Sequence, residues 1–208
     1  IVAVQFYRDH GFIPWAFNNF LVLLGWSPGD DREFFTQEEL IEAFTLERIN
    51  KSSSIFNYRK NDPKFFTDPK ALSINEHYLR EMKIDELAKM VKEEFIRNGL
   101  WDDSYERERK DWFYSTLDLI RDRFHTLKDF GTRGRAYFAD DFDVEQKPLK
   151  KNVLKHEGLK QWLPLLADRY EKLQEFTLDT TEVEARKLAE ELEIKPGIII
   201  NGLRTVVT

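Results

Sequence analysis

At 208 residues, 41% hydrophobic and 14% aromatic, the chain is large and apolar enough to bury a core without covalent staples. Its net charge of −6 weighs against a general nucleic-acid binder, DNA included, but leaves room for a protein that reads one folded RNA through local patches. The lack of cysteine excludes disulfides and thiolate–metal sites and fits a reducing cytoplasm, and no run approaches the ~20 apolar residues that a membrane span needs.

The periodicity is helical almost throughout. Pro14 opens a run in which Phe17, Phe20, Leu21 and Leu24 form one apolar stripe, and Gly25 with the SPGDD turn closes it. Thr36 and Glu39 have the spacing of a capping box, with Phe35 and Leu40 placed as a hydrophobic staple. Leu40, Ile41 and Phe44 are then expected to face the core. Residues 50–69 read as an irregular loop containing NKSSS, Pro63 and Pro69.

Helices are predicted from Lys70 to Glu81 and from Ile84 to Arg97, the second carrying Leu87, Val91 and Phe95 on one face and ending at Gly99. Asp103 is a candidate cap for a long helix reaching Arg121, with Tyr105, Arg109, Trp112, Phe113, Thr116, Leu117 and Ile120 as its stripe. A short helix should follow Thr126, bounded by Gly131 and Gly134. Leu159, Trp162, Leu163, Leu166, Tyr170 and Leu173 form a further stripe, and Pro164 inside it should kink the helix or delay its start. Thr177 or Asp179 should cap a segment holding Val183, Leu188, Ala189 and Leu192. Residues 196–207 are ambiguous, since IIING and RTVV have the local preference of a strand. The expected class is all-α, in three units: residues 1–81, 82–140 and 141–208.

Autonomous chemistry is not apparent. His10, His77, His125 and His156 are dispersed and read as surface or partly packed side chains. His77 and Glu81 could share a helix face, but two ligands are too few for a metal site. Asp140, Asp141, Asp143 and Glu145 fail the spacing of a calcium loop, because the required glycine and glutamate positions hold Gln146 and Asn152. There is no Walker loop, GxGxxG or GxSxG, and no nucleophile set beside a base. No catalytic residue, cofactor site or metal site is assigned.

One succession of motifs is more specific. GFIPWAFNNFLVLLGWSPGDD (residues 11–31), LIEAFTLERIN, RFHTLKDF and NGLR occur in that order. The series resembles the stem-contact and anticodon-binding region of bacterial-type glutamyl-tRNA synthetases, class I enzymes. The family wording near GFLPEALLNYLALLGWSPGDD is nearly the same as residues 11–31. Neither the HIGH nor the KMSKS-type signature of that family's ATP-binding domain is present. Beginning at Ile1, the chain is expected to be a fragment or processed product without the catalytic half.

The resemblance implies a stem-contact helical region at 1–81, followed by two small α-helical anticodon-binding subdomains at 82–140 and 141–208. It also favours helix over strand for residues 196–207. In RFHTLKDF, Arg123 takes the place of the arginine that contacts the first anticodon base in glutamate-specific members. Arg204, in NGLR, takes the place of the QPLR arginine that contacts the third. Asn50 and Lys70 match positions that touch the tRNA stem. About ten extra residues follow Phe56-Asn57, and Ser73 stands where the family usually has tryptophan two residues before Asn75. The implied partner is tRNA(Glu), bound by a cytoplasmic monomer, with ATP and Mg2+ required only by the full-length ligase. The alternative is an α-helical protein-interaction module without RNA binding.

The chemistry suits these roles. Anticodon bases are unpaired, so side chains can reach their pairing edges. A guanidinium presents paired donors to the O2 and N3 of a pyrimidine whose N3 is an acceptor, as in cytosine, and can also stack on it.

Overall fold

A computed structural model describes residues 4–51 and 67–207 of the chain. Among these residues the regular structure is helical and no strand forms, the nearest approach being a lone antiparallel bridge between Trp26 and Ile49. The all-α expectation holds. The extra residues expected after Asn57, and most of the 50–69 loop, lie outside the described residues. The chain divides into two compact units, Ile1–Phe138 and Ala139–Thr208. That division lies beside the boundary expected near residue 140. The boundary expected near residue 81 falls inside the first unit.

The first unit opens with α1 (Val4–Asp9) and α2 (Pro14–Gly25). Gly11, with φ +77°, makes the turn between them, and its carbonyl accepts a hydrogen bond from the amide of Leu127 at 2.9 Å. Ile13, the residue before the helix, donates its amide to Asn75 Oδ1 at 2.8 Å. The other end of that buried amide donates to the His125 carbonyl at 2.6 Å. One side chain thus ties three distant segments together.

The buried face of α2 runs through Ala16, Phe17, Asn19 and Phe20. Leu21, expected on that face, is 44% exposed. The stripe is rotated because Asn19 belongs to it. Asn19 donates to the Glu33 carbonyl at 3.0 Å and accepts from the Phe35 amide at 2.9 Å and the Tyr78 hydroxyl at 2.8 Å. A buried amide satisfied at both ends holds the segment after the SPGDD turn against the helix. The turn itself is closed by Arg48, which donates to the Pro28 carbonyl and lies within 3.4 Å of where a Cβ on Gly29 would stand.

Helix α3 (Gln37–Ala43) has the predicted capping box: Glu39 N donates to Thr36 Oγ1 at 3.2 Å, and Thr36 N donates to Glu39 Oε2 at 2.7 Å. Its apolar residues do not face the core as expected. Ile41 is 70% and Phe44 44% exposed, and Leu40 is only half-buried. None of the helix's own residues is buried, and the anchoring is done before it, where buried Phe35 meets the edge of buried Trp26 at 6.2 Å.

Asp68 caps α4 (Pro69–Glu81) through the Lys70 amide at 2.8 Å, and Ala71, Ile74, Asn75 and Leu79 are buried. Helix α5 (Ile84–Arg97) buries Leu87, Ala88, Val91 and Phe95 at 3-and-4 spacing, and Gly99, with φ +66°, follows its end as predicted. Helix α6 begins later than expected, spanning Lys110–Arg121. Asp102 rather than Asp103 acts as a cap, and what it caps is a short 3-10 turn, Asp103–Glu106. Tyr105 is the reason. Its ring is buried flat against Phe113, 4.7 Å away with 7° between planes, so the chain folds back instead of continuing as helix. Phe113, Leu117 and Ile120 are buried as expected, whereas Trp112 is exposed. Helix α7 (Leu127–Gly131) follows Thr126, which forms a capping box with Asp129, and a 3-10 turn at Arg133–Tyr137 comes next.

The second unit contains α8 (Gln146–Pro148), a π-type turn at Leu149–Leu154, α9 (Leu159–Tyr170), α10 (Leu178–Glu191) and α11 (Pro196–Val207). Helix α9 runs through Pro164. Leu159, Leu166, Ala185, Leu188, Ala189 and Ile199 form the core, with Trp162, Leu163, Tyr170 and Leu192 packed around them. Val183, expected inside, is exposed. Thr177 rather than Asp179 caps α10, through the Thr180 amide at 3.2 Å. Residues 196–207 are helical because Ile199, Gly202 and Thr205 are buried at helical spacing, and this packing overrides the strand preference.

Arg169 forms a two-pronged pair with Glu191, one arm at 3.0 Å. The hydrogen bonds from Arg169 hold the Glu191 carboxyl below its ordinary range. The folded state therefore binds this proton less readily than the unfolded chain. The stabilisation is complete above the ordinary glutamate range and is lost as pH falls through the lowered value. In urea melts of the chain, Glu191→Gln should flatten this acid-side decline by lowering the neutral-pH midpoint, and both changes should be small because the Glu191 end of the pair is exposed.

Candidate nucleic-acid interface

The RFHTLKDF segment divides cleanly into scaffold and surface. Phe124, Leu127 and Phe130 are buried, with the Phe124 and Phe130 rings edge-to-face at 4.9 Å. Thr126 and Asp129 close the helix start. His125 pairs its Nδ1 with Glu76 at 2.8 Å. Facing solvent are Arg123, just beyond α6, and Lys128, with His125 also exposed beside its Glu76 partner.

Arg123 Nη1 donates to the Tyr137 hydroxyl at 3.3 Å, and Arg133 Nη1 donates to the Arg123 carbonyl at 3.4 Å. Among the described residues no carboxylate pairs with Arg123, so it is not an ordinary surface arginine neutralised by a helix acid. Its neighbour in sequence, Arg121, is spent on structure, bonding the Met82 carbonyl at 2.7 Å and Asp118 at 2.8 Å. Arg133 lies over the Phe124 ring at 5.6 Å and 3.9 Å from Asp129.

Arg204 occupies the last turn of α11 and is exposed. Gly202 and Thr205 on either side are buried, and a Cβ at Gly202 would come within 2.8 Å of Leu159 Cδ1. The NGLR segment thus packs α11 closely on α9 and carries Arg204 outward. Arg123 and Arg204 belong to different units.

Asn50 and Lys70 are brought together. Both line a concavity of about 330 Å³, with Trp26, Asp30, Arg32 and Glu33 among the other walls. Asn50 is fixed by its amide to the Gly25 carbonyl at 2.8 Å. Both cations of the concavity are already paired, Lys70 with Glu33 at 2.7 Å and Arg32 with Asp30 at 2.8 Å. The hydrogen bonds from Arg32 push the Asp30 carboxyl below its usual range. A phosphate reaching Lys70 would have to compete with Glu33.

Among the described residues no group of three or more His, Cys, Asp or Glu side chains is placed to hold a metal. His77 is stacked on Phe34 at 3.8 Å, and His10 is bonded to the Phe6 carbonyl at 2.7 Å. Tyr137 and Arg133 are neighbours of Arg123 that no pattern in the sequence points to. They follow RFHTLKDF within RGRAYF, but only the 3-10 turn returns them to Arg123, and no periodicity marks that.

Residues 86–208 match the family model described as an anticodon binding domain. The chain belongs to that family. Arg123 and Arg204 both lie within the anticodon-binding match. Residues 1–63 match a second model, described as the catalytic domain of class I tRNA synthetases (E and Q). The chain is 69% identical over all 208 of its residues to a glutamate–tRNA ligase of Desulfotalea psychrophila, covering 42% of that protein. A glutamate–tRNA ligase of Thermus thermophilus is 33% identical over 210 residues, with 99% of this chain and 40% of that protein covered. The chain thus spans well under half the length of these relatives. A crystal structure of a glutamate tRNA ligase from Elizabethkingia meningosepticum, in complex with its amino acid, superposes on 97% of this chain and 36% of that one, with TM-score 0.74 and 23% identity, which shows a shared fold.

Proposed function

We propose that this chain is the tRNA-recognising part of a glutamate–tRNA ligase. It holds the stem of tRNA(Glu) through the Asn50–Lys70 concavity and reads the anticodon through Arg123 and Arg204. In this reading the first unit joins a stem-contact part to the first anticodon-binding subdomain near residue 81, and the second unit is the second subdomain. The full-length enzyme attaches glutamate to the tRNA with ATP and Mg2+ in the cytoplasm, where translation proceeds. The present chain carries neither ATP-binding signature of the family and is expected to be a catalytically inactive monomer on its own.

The observation that carries the reading is Arg123: an exposed guanidinium without a carboxylate partner among the described residues, inside the anticodon-binding match. A titration of the chain with tRNA(Glu) and with anticodon-substituted versions tests it. Binding should weaken with salt, and weaken further when the first anticodon base is changed. Binding to neither RNA would instead favour a protein-interaction module.

Lys70 should behave differently from Arg123. Lys70→Ala is expected to weaken all the RNAs alike and to make the plot of log affinity against log salt shallower by about 1 or less. The Glu33 pair keeps this loss small, since binding must first release the lysine. A Lys70→Ala effect confined to one anticodon would remove the stem assignment.

A further inference from the structure

The second unit keeps its charges apart. Residues 146–160 hold five lysines, Lys147, Lys150, Lys151, Lys155 and Lys160, against one carboxylate, Glu157. The rest of the unit, residues 139–145 and 161–208, holds thirteen carboxylates against six lysines and arginines. Among those six, Arg169, Arg186 and Lys187 are spent on Glu191, Glu182 and Glu184. The five clustered lysines are all exposed, and among the described residues none of them has an ion pair.

Four of the five share one face. Lys147, Lys150, Lys151 and Lys155 are spaced i, i+3, i+4 and i+8 along the helical run formed by α8 and the Leu149–Leu154 turn, which Lys155 closes. Lys147 with Lys151, and Lys151 with Lys155, are therefore like charges one turn apart, an arrangement that weakens a helical run. The run is fastened from its other side. Asn152 Nδ2 donates to Thr205 Oγ1 at 3.0 Å, and Thr205 is a buried residue of α11 next to Arg204.

We propose that Lys147, Lys150, Lys151 and Lys155 form a phosphate-gripping face that holds the RNA backbone irrespective of its sequence. The proposal rests on tRNA as the partner and on no assignment of an arginine to a base. A chain of net charge −6 repels a polyanion as a whole, so contact needs a place where the local sign is reversed. This face is such a place, and phosphates seated on it relieve the repulsion between its lysines. An ammonium is a compact point charge without the planar fork that reads a base edge, so it suits phosphate oxygens and carries no sequence preference.

The whole chain is titrated with tRNA(Glu) and with an anticodon-substituted transcript across a series of salt concentrations. Replacing all four lysines together, Lys147→Gln, Lys150→Gln, Lys151→Gln and Lys155→Gln, should make the plot of log affinity against log salt shallower by about 2–4. Both transcripts should weaken alike, by about tenfold or more at physiological salt. The control removes the same charge from exposed positions elsewhere in the unit, through Lys172→Gln, Arg186→Gln, Lys187→Gln and Lys195→Gln, and should change the slope by less than about 1. The urea midpoint of the first variant should hold or rise, because like-charge repulsion is relieved. Equal slope changes in the two variants would show that total charge is felt rather than this face, and would overturn the proposal. A loss confined to one transcript, or a lower midpoint with an unaltered slope, would overturn it as well. If the parent chain binds neither transcript, the RNA reading itself fails, whereas tight binding with an unaltered slope in the first variant removes this face alone.

Discussion

Replacing Gly11 with alanine lowers the stability of the first unit by about 3–5 kcal/mol, read as a shift in the urea midpoint. Two independent costs combine. The backbone at Gly11 has φ +77°, a left-handed conformation that a Cβ makes unfavourable by about 1–2 kcal/mol. The new Cβ would also stand 2.5 Å from the backbone nitrogen of Lys128 and 3.0 Å from that of Leu127. No side-chain rotation relieves a clash with backbone, so α7 must move, and the Leu127-to-Gly11 hydrogen bond goes with it. Gly25→Ala is the control. At the end of α2, nothing lies within 4 Å of its would-be Cβ, and its φ is not in the left-handed region. There alanine should change stability by less than about 1 kcal/mol, with gain as the expected direction. Equal effects at the two glycines would contradict this account of the turn.

The second large effect is on recognition. Arg123→Ala should cost about 1–3 kcal/mol of discrimination at the first anticodon base, roughly fivefold to 150-fold in relative affinity. The scaffold is not expected to suffer, because the side chain is exposed and its hydrogen bond goes to a half-buried tyrosine at the surface. Arg121→Ala separates the two roles. That guanidinium caps the Met82 carbonyl at 2.7 Å, so its loss should lower the unfolding midpoint while leaving the anticodon preference intact. Arg123→Lys keeps the charge without the planar fork. It should retain the salt dependence and lose most of the discrimination. An Arg123→Lys variant as selective as the parent would show that charge alone is being read.

Much of this architecture is legible in the sequence wherever a single local cause decides it. Pro14 marks a helix start, the Thr36–Glu39 pair closes one, and Gly99 ends one, each through chemistry confined to a few residues. Where a distant partner decides, the pattern misleads. The late start of α6 depends on Tyr105 finding Phe113, and the rotation of the α2 stripe depends on Asn19 serving Glu33, Phe35 and Tyr78. Ile41 and Phe44 have the spacing of core residues, but nothing in their own segment shows how little of α3 is covered. The candidate interface follows the same division. Arg123 and Arg204 stand out only through the motifs that surround them, since an isolated arginine has no periodicity. Asn50 and Lys70 share a concavity that spacing alone does not reveal. Tyr137 is invisible until the turn brings it back.

The ties from Gly11 to Leu127, and from Ile13 through Asn75 to His125, bear on how the chain acquires its structure during synthesis. The ribosome releases α1 and α2 long before the segment that must close over them exists. Until then Phe12, Phe17 and Phe20, all buried in the finished fold, have no completed site to enter. Contacts so far apart in sequence slow the search for the native state and prolong the exposure of sticky surface. Within these residues α1 and α2 should therefore be the portion that most engages chaperones during synthesis, and release should follow emergence of the Thr126–Asp129 cap.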